Sequence, residues 1–124
     1  MLTLFLLQII EFSMIIRSKA PLRLGLAGGG TDVSPYSDIY GGSILNATIN
    51  LFAHASIEPL DNGKIEFVAR DKNEQIVYDS KENLEDQGVL DLHRGVYNRI
   101  VSDFHKAPLS FRLTTYVDAP PGSG

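Results

Sequence analysis

Residues Lys19 to Asp32 read KAPLRLGLAGGGTD, and the fold turns on this stretch. Leu22 to Leu26 has strand character, and Pro21 separates it from a preceding apolar run, Ile15 to Lys19. Strand alternation points Arg23 away from its neighbours Leu22 and Leu24. Gly28, Gly29 and Gly30 follow, and three adjacent glycines do not suit a helix or strand interior. They predict a tight loop, with Thr31 and Asp32 at its exit. This is not a dinucleotide fingerprint, because the glycines are adjacent and not spaced G-x-G-x-x-G. Two readings stay open from the residues alone. The loop is a turn joining strand to helix, or its uncovered N–H groups contact an anionic or hydroxyl-rich ligand at a helix N-terminus. Arg23 is likewise either a solvated charge or a cation positioned for phosphoryl chemistry.

Moving outward, Val33 to Tyr40 predicts a short helix. Thr31, Asp32 or Ser34 is its candidate cap, Pro35 suits its first turn and Gly41-Gly42 its end. Ser43 to Pro59 alternates, with Asn46, Thr48, Asn50 and His54 in one phase and Leu45, Ala47, Ile49, Leu51 and Ala53 in the other, which predicts a strand with one buried face. Asn62-Gly63 is a strong hairpin signal. With Lys64 to Arg70 and Gln75 to Asp79, it predicts a three-stranded antiparallel meander. Ser80 to Gly88 is a polar, acidic loop. Val89 to Lys106 shows helical spacing through Leu92, Val96, Ile100 and Phe104, joined by Val89 and Val101, and stops before Pro108. Leu109 to Val117 alternates as a last strand. Pro120-Pro121-Gly122-Ser123-Gly124 then follows, either a plain turn or the opening of a phosphate-binding loop. The class is α+β with a mainly antiparallel sheet.

The 124 residues suit about one domain. At 44% hydrophobic and 21% charged, the composition is that of a globular protein. The eleven Lys and Arg are scattered and the net charge is −4, which argues against a nucleic-acid surface. With no cysteine there is no disulfide, thiolate nucleophile or cysteine metal site, which fits a cytoplasmic protein. His54, His93 and His105 lack metal-ligand spacing, and no metal ligand is assigned. Met1 to Ile10 is apolar but shorter than the roughly 20 residues a membrane helix needs. It also lacks the basic region and cleavage site of a secretory signal. Residues 1–13 are expected to be an extension from start-site choice, with translation beginning at Met14. The alternatives are an added strand or an interfacial anchor.

Taken together, KAPLRLGLAGGGTD, the segment Gly41 to Ile49 (GGSILNATI) and the terminal PPGSG resemble the GHMP small-molecule kinases. The closest branch phosphorylates D-glycero-D-manno-heptose 7-phosphate. The resemblance covers Met14 to Gly124. It implies the amino-terminal half of a two-domain kinase fold, truncated, with helices on one sheet face and a left-handed βαβ unit. It implies transfer of the γ-phosphoryl of ATP to a sugar hydroxyl, in that branch the anomeric oxygen of the heptose phosphate. By position in the motif, Arg23 is the catalytic basic residue beside the transferred group. Asp32 binds sugar hydroxyls, and Gly28, Gly29, Gly30 and Thr31 line the substrate pocket. Gly122, Ser123 and Gly124 begin the wrap around the ATP phosphates. The Mg²⁺ ligands, the residue near the acceptor hydroxyl and the adenine pocket lie beyond Gly124. Lys19, Arg17 and the glycine-loop amides are candidate donors for the acceptor's own phosphate. Sugar phosphate and ATP are the expected partners, with no nucleic acid and no membrane. Other readings of these 124 residues are a non-catalytic sugar-phosphate-binding module and an inactive remnant.

Overall fold

The computed structural model describes residues 14–120. The expectations for residues 1–13 and for Gly122, Ser123 and Gly124 lie outside them. Five strands form one sheet, β1 (Ile16–Ala27), β2 (Leu45–Pro59), β3 (Lys64–Ala69), β4 (Glu74–Asp79) and β5 (Phe111–Val117), in the order β1-β2-β5-β3-β4. The helices are α1 (Tyr36–Tyr40) and α2 (Asp91–Ile100), and a π-helical turn, Val101–His105, extends α2. Three strand pairs are antiparallel and one, β3 with β5, is parallel, so the α+β, mainly antiparallel expectation holds.

The meander does not. β3 and β4 pair as expected, but β5 stands between β2 and β3. The Asn62-Gly63 turn therefore joins strands that are not hydrogen-bonded neighbours. Its local work is different: the Asn62 side chain accepts from Lys64 N at 3.0 Å. The two expected strands before the glycines are one continuous β1. Pro21 is tolerated because β1 is an edge strand, where a missing N–H costs no ladder bond. The register shifts between Pro21 and Arg23, where the paired residue jumps from Phe52 to Thr48.

The core is offset to one side. Ile65, Phe67, Ala69, Tyr78, Leu84, Leu90, Tyr97 and Val101 are buried, all on β3, β4, α2 and their flanks. Phe67 is the centre, with the rings of Tyr78, His93, Tyr97 and Phe111 at 5.9, 5.8, 6.5 and 6.3 Å. Side chains pin the acidic loop to α2. Asn98 accepts from Leu84 N at 2.8 Å and donates to Leu84 O at 3.0 Å. The Tyr97 hydroxyl donates to Lys81 O at 2.7 Å and accepts from Leu109 N at 3.1 Å.

Two burial expectations are corrected. The stripe Leu92, Val96, Ile100 and Phe104 is exposed, at 78%, 51%, 43% and 77%, while Tyr97 and Val101 turn inward. In β2, Leu45, Leu51 and Ile57 are exposed, so its apolar phase is not a buried face. Both follow from the same geometry. The core gathers where α2 meets β3 and β5, and a trough of about 800 Å³ opens from there toward β1. Ala20, Ala53 and Ala55 line its far side, and Leu92, Val96 and Ile100 line the α2 side.

Candidate functional site

β1 delivers the glycine loop to the end of the sheet where β2 begins. Arg23 pairs with Thr48 and Ala27 with Leu45, a second register shift separating Gly25 from Ala27. Arg23 is exposed and makes no ion pair among the described residues.

The three glycines do different work. Gly28 has φ +78°, and a Cβ there would sit 2.0 Å from Ser43 O. Only glycine permits that approach of one backbone to another. Gly30 has φ +85° with open space around it, and Gly29 also meets nothing within 4 Å. Gly29 and Gly30 are therefore the part of the loop that a ligand can approach, whereas Gly28 faces protein.

Thr31 closes the loop. Its N–H donates to Gly28 O at 3.1 Å, and its hydroxyl lies 2.8 Å from Gly28 O and 3.1 Å from Ser43 O. The same hydroxyl accepts from Ser43 N at 3.2 Å. Thr31 thus acts as a clasp between two backbone segments. Gly42 completes the clasp, since a Cβ there would meet Thr31 O at 2.2 Å. Sequence reasoning took Gly42 only as a helix end. Its signal was the Gly41-Gly42-Ser43 run, which the family resemblance had already singled out.

The helix expected over Val33 to Tyr40 is the five-residue α1, with Pro35 at its N-cap and no side-chain cap. None of Thr31, Asp32 or Ser34 caps it, and the Ser34 hydroxyl donates to Asp38. The helix starts four residues after Asp32, so it presents no N-terminus to the glycine loop. The loop amides are the donors there, and Arg23 lies four residues before Ala27 on β1, about 13 Å at strand rise. Asp32 is exposed beside the loop, free to face an incoming ligand.

β5 runs toward the same end of the sheet. β5 runs antiparallel to β2, with Phe111 opposite Pro59 and Val117 opposite Ala53. The chain therefore leaves β5 heading along β2 toward Thr48 and Leu45, the partners of Arg23 and Ala27. Asp118 fixes that exit: its carboxylate accepts from Phe52 N at 2.7 Å and its own N–H donates to Phe52 O at 2.9 Å. Asp118 is a positioning residue just past Val117, where the sequence reading ended the last strand. Lys19 and Arg17, expected to join the loop amides, do not. Lys19 lies 4.6 Å above the Phe52 ring, and Arg17 pairs with Ser56 six residues back from Arg23, about 20 Å away at strand rise.

No family model matches the chain. It is 54% identical over 109 residues to D-glycero-alpha-D-manno-heptose 7-phosphate kinase of Campylobacter jejuni, a match covering 88% of this chain. The chain spans about a third of that curated relative's length. Among solved structures, a D-glycero-D-manno-heptose 1-phosphate kinase from Bacteroides thetaiotaomicron is 59% identical with TM-score 0.79, over 90% of this chain and 36% of that one. A putative sugar kinase from Campylobacter jejuni is 54% identical with TM-score 0.76, over 89% and 35%. The galactokinase of Lactococcus lactis, solved with galactose, shares 18% identity at TM-score 0.68, over 86% and 27%, and shows likeness of fold. In sequence and in backbone, the chain is thus similar to heptose phosphate kinases over about a third of their length.

Proposed function

We propose that this chain supplies the acceptor-binding part of an ATP-dependent sugar kinase. The acceptor is D-glycero-D-manno-heptose 7-phosphate, phosphorylated at its anomeric oxygen. One observation carries the reading. In a chain 54% identical to such a kinase, Arg23, the open Gly29-Gly30 amides and Asp32 follow one another at the sheet end toward which β5 exits. The two related kinases are named for different heptose phosphates. The choice of the 7-phosphate follows the curated relative and the glycine triplet.

The chemistry falls to positioning and charge. Asp32 accepts hydrogen bonds from sugar hydroxyls, and the Gly29 and Gly30 amides face the ligand. Arg23, charged at any working pH, stabilises the negative charge on the phosphoryl group in flight. Gly122, Ser123 and Gly124 are proposed to contact the ATP phosphates. Mg²⁺, when bound, neutralises charge on those phosphates. Among the described residues no cluster of three His, Asp or Glu side chains is placed to hold a metal ion. A cytoplasmic location accompanies this reading, with ATP and a sugar phosphate as its small-molecule partners. Among the described residues no helix is long and apolar enough to cross a membrane.

The test is a chimera in which the matched third of the Campylobacter jejuni relative is replaced by the corresponding residues of this chain. ADP release in the presence of heptose 7-phosphate, close to the rate of the unaltered relative, is the expected result. Arg23→Ala in the chimera lowers kcat by about 10²–10³-fold with little change in ATP binding. Asp32→Ala raises the KM for sugar by about 10–100-fold, as loss of a charged hydrogen bond requires. A folded chimera with no turnover, or wild-type kinetics in both variants, overturns the assignment.

A further inference from the structure

The sheet face turned away from α2 carries a depression of about 560 Å³, and the kinase reading above makes no use of it. Arg17, His54, Ser56, Arg70, Thr114 and Tyr116 line it. The register explains their assembly. Arg17 stands opposite Ser56, and Ser56 opposite Thr114. Arg70 prolongs β3, its N–H held by Thr115 O at 3.0 Å. The two arginines thus stand on opposite rims, three strand spacings across and two residues along the strands, about 16 Å apart, with two hydroxyls between them.

The surrounding charge leaves these arginines available. Glu58 and Glu66, the carboxylates in the adjacent row, both bind Arg112, at 3.1 and 2.7 Å. Asp118 accepts from Phe52 N and lies 3.5 Å from His54 Nε2. Neither Arg17 nor Arg70 has an ion-pair partner among the described residues. Beside the hydroxyls, the rings of His54 and Tyr116 stack at 5.8 Å with an interplanar angle of 29°, a flat surface next to the cationic rim.

We propose that this depression binds the phosphate group of a small phosphate ester. Arg17 and Arg70 donate to its oxygens from either side, the chemistry for which guanidinium is suited. The hydroxyls of Ser56 and Thr114 donate from below, and the His54–Tyr116 pair lies under the rest of the ligand. The site is separate from the glycine loop, because Arg17 and Arg23 are about 20 Å apart along β1. It stands or falls independently of the kinase reading.

The test is a titration of the 124-residue chain with inorganic phosphate, sodium chloride holding the ionic strength constant, followed by amide chemical shifts. Saturable shifts at residues 54–56, 70 and 114–116 are expected. Arg17→Gln and Arg70→Gln should each weaken binding at least tenfold. Lys64→Gln, which removes a cation already paired with Asp79, should leave it unchanged. Circular dichroism confirms that each variant is folded, and Thr114→Val, close in shape, provides an independent reading with a several-fold loss. The proposal is overturned by equal shifts with chloride alone, by shifts confined to residues 28–31 and 41–43, or by unchanged affinity in both arginine variants.

Discussion

A backbone carbonyl 2.2 Å from where a methyl group would stand leaves that methyl nowhere to go, and this is the situation at Gly42 facing Thr31 O. The obstacle is main chain, so no side-chain rotation relieves it. Relief requires the 28–32 and 41–43 segments to part, which breaks the hydrogen bonds between the Thr31 hydroxyl and Ser43. Gly42→Ala is therefore expected to cost about 1–3 kcal/mol, the range for overpacking a tight site. Gly29→Ala, with nothing within 4 Å, should change stability by less than about 0.5 kcal/mol. Urea denaturation of the two variants checks this directly, and equal midpoints would refute the clasp. The comparison also shows where sequence reading reaches its end at this scale. A glycine-rich loop beside Arg23 and Asp32 was legible from composition and order. Which glycines face protein and which face open space was not, because that depends on Gly42 and Ser43 folding back over Thr31 from twelve residues away.

At the scale of elements, β2, β3, β4, β5 and the helical spacing of α2 were all legible, since alternation and period are local properties of the chain, while β1 read as two strands parted by Pro21. Pairing was not. Asn62-Gly63 is a hairpin signal, yet β2 and β3 are parted by β5, whose residues arrive more than forty positions later. Nor could period alone tell which stripe of α2 faces inward. That is settled by Phe67 and Phe111, against both of which the Tyr97 ring packs. The same face of α2 carries His93. Its Nε2 lies 2.9 Å from the Thr115 hydroxyl, and its Nδ1 is buried without a partner among the described residues. Burial, assisted by Lys72 and opposed by Asp71 and Glu74, pushes its pKa below the ordinary value of 6.5. The unfolded chain then binds the proton more readily than the folded one, so the stability His93 contributes is whole above about pH 6.5 and declines as pH falls below it. Asp79 and Asp86, held below 3.8 by Lys64 and by Gly88 N–H respectively, act only at lower pH. Between pH 7.5 and 5 the fall in urea midpoint should thus be steeper in the wild type than in His93→Gln. Parallel slopes would show that His93 does not link α2 to pH.

For the whole molecule, the decisive fact is an asymmetry between its two halves. β3, β4 and α2 enclose Phe67, while almost every residue of β1 is exposed and the trough beside α2 is walled by apolar side chains on both sides. Leu92, Val96 and Ile100 recur every fourth residue along that wall, the spacing by which a helix buries a stripe against a partner. In the relatives, which are about three times as long, more polypeptide is present to cover such a surface. Among the described residues nothing covers the surface, and exposed apolar patches of this kind promote association. The 124-residue protein is therefore expected to bind a hydrophobic dye strongly and to show a sedimentation coefficient that rises with concentration. Leu92→Lys with Val96→Lys should weaken both effects. It should also leave the far-ultraviolet circular dichroism intact, because both side chains are already exposed and lysine is a good helix former. In the chimera with the Campylobacter jejuni relative, dye binding should fall to the relative's own level, as covering of the trough by the added chain requires. A protein that sediments as a monomer at every concentration and leaves the dye dark would mean that the apolar wall is closed in solution, and the asymmetry would then not govern how the chain behaves.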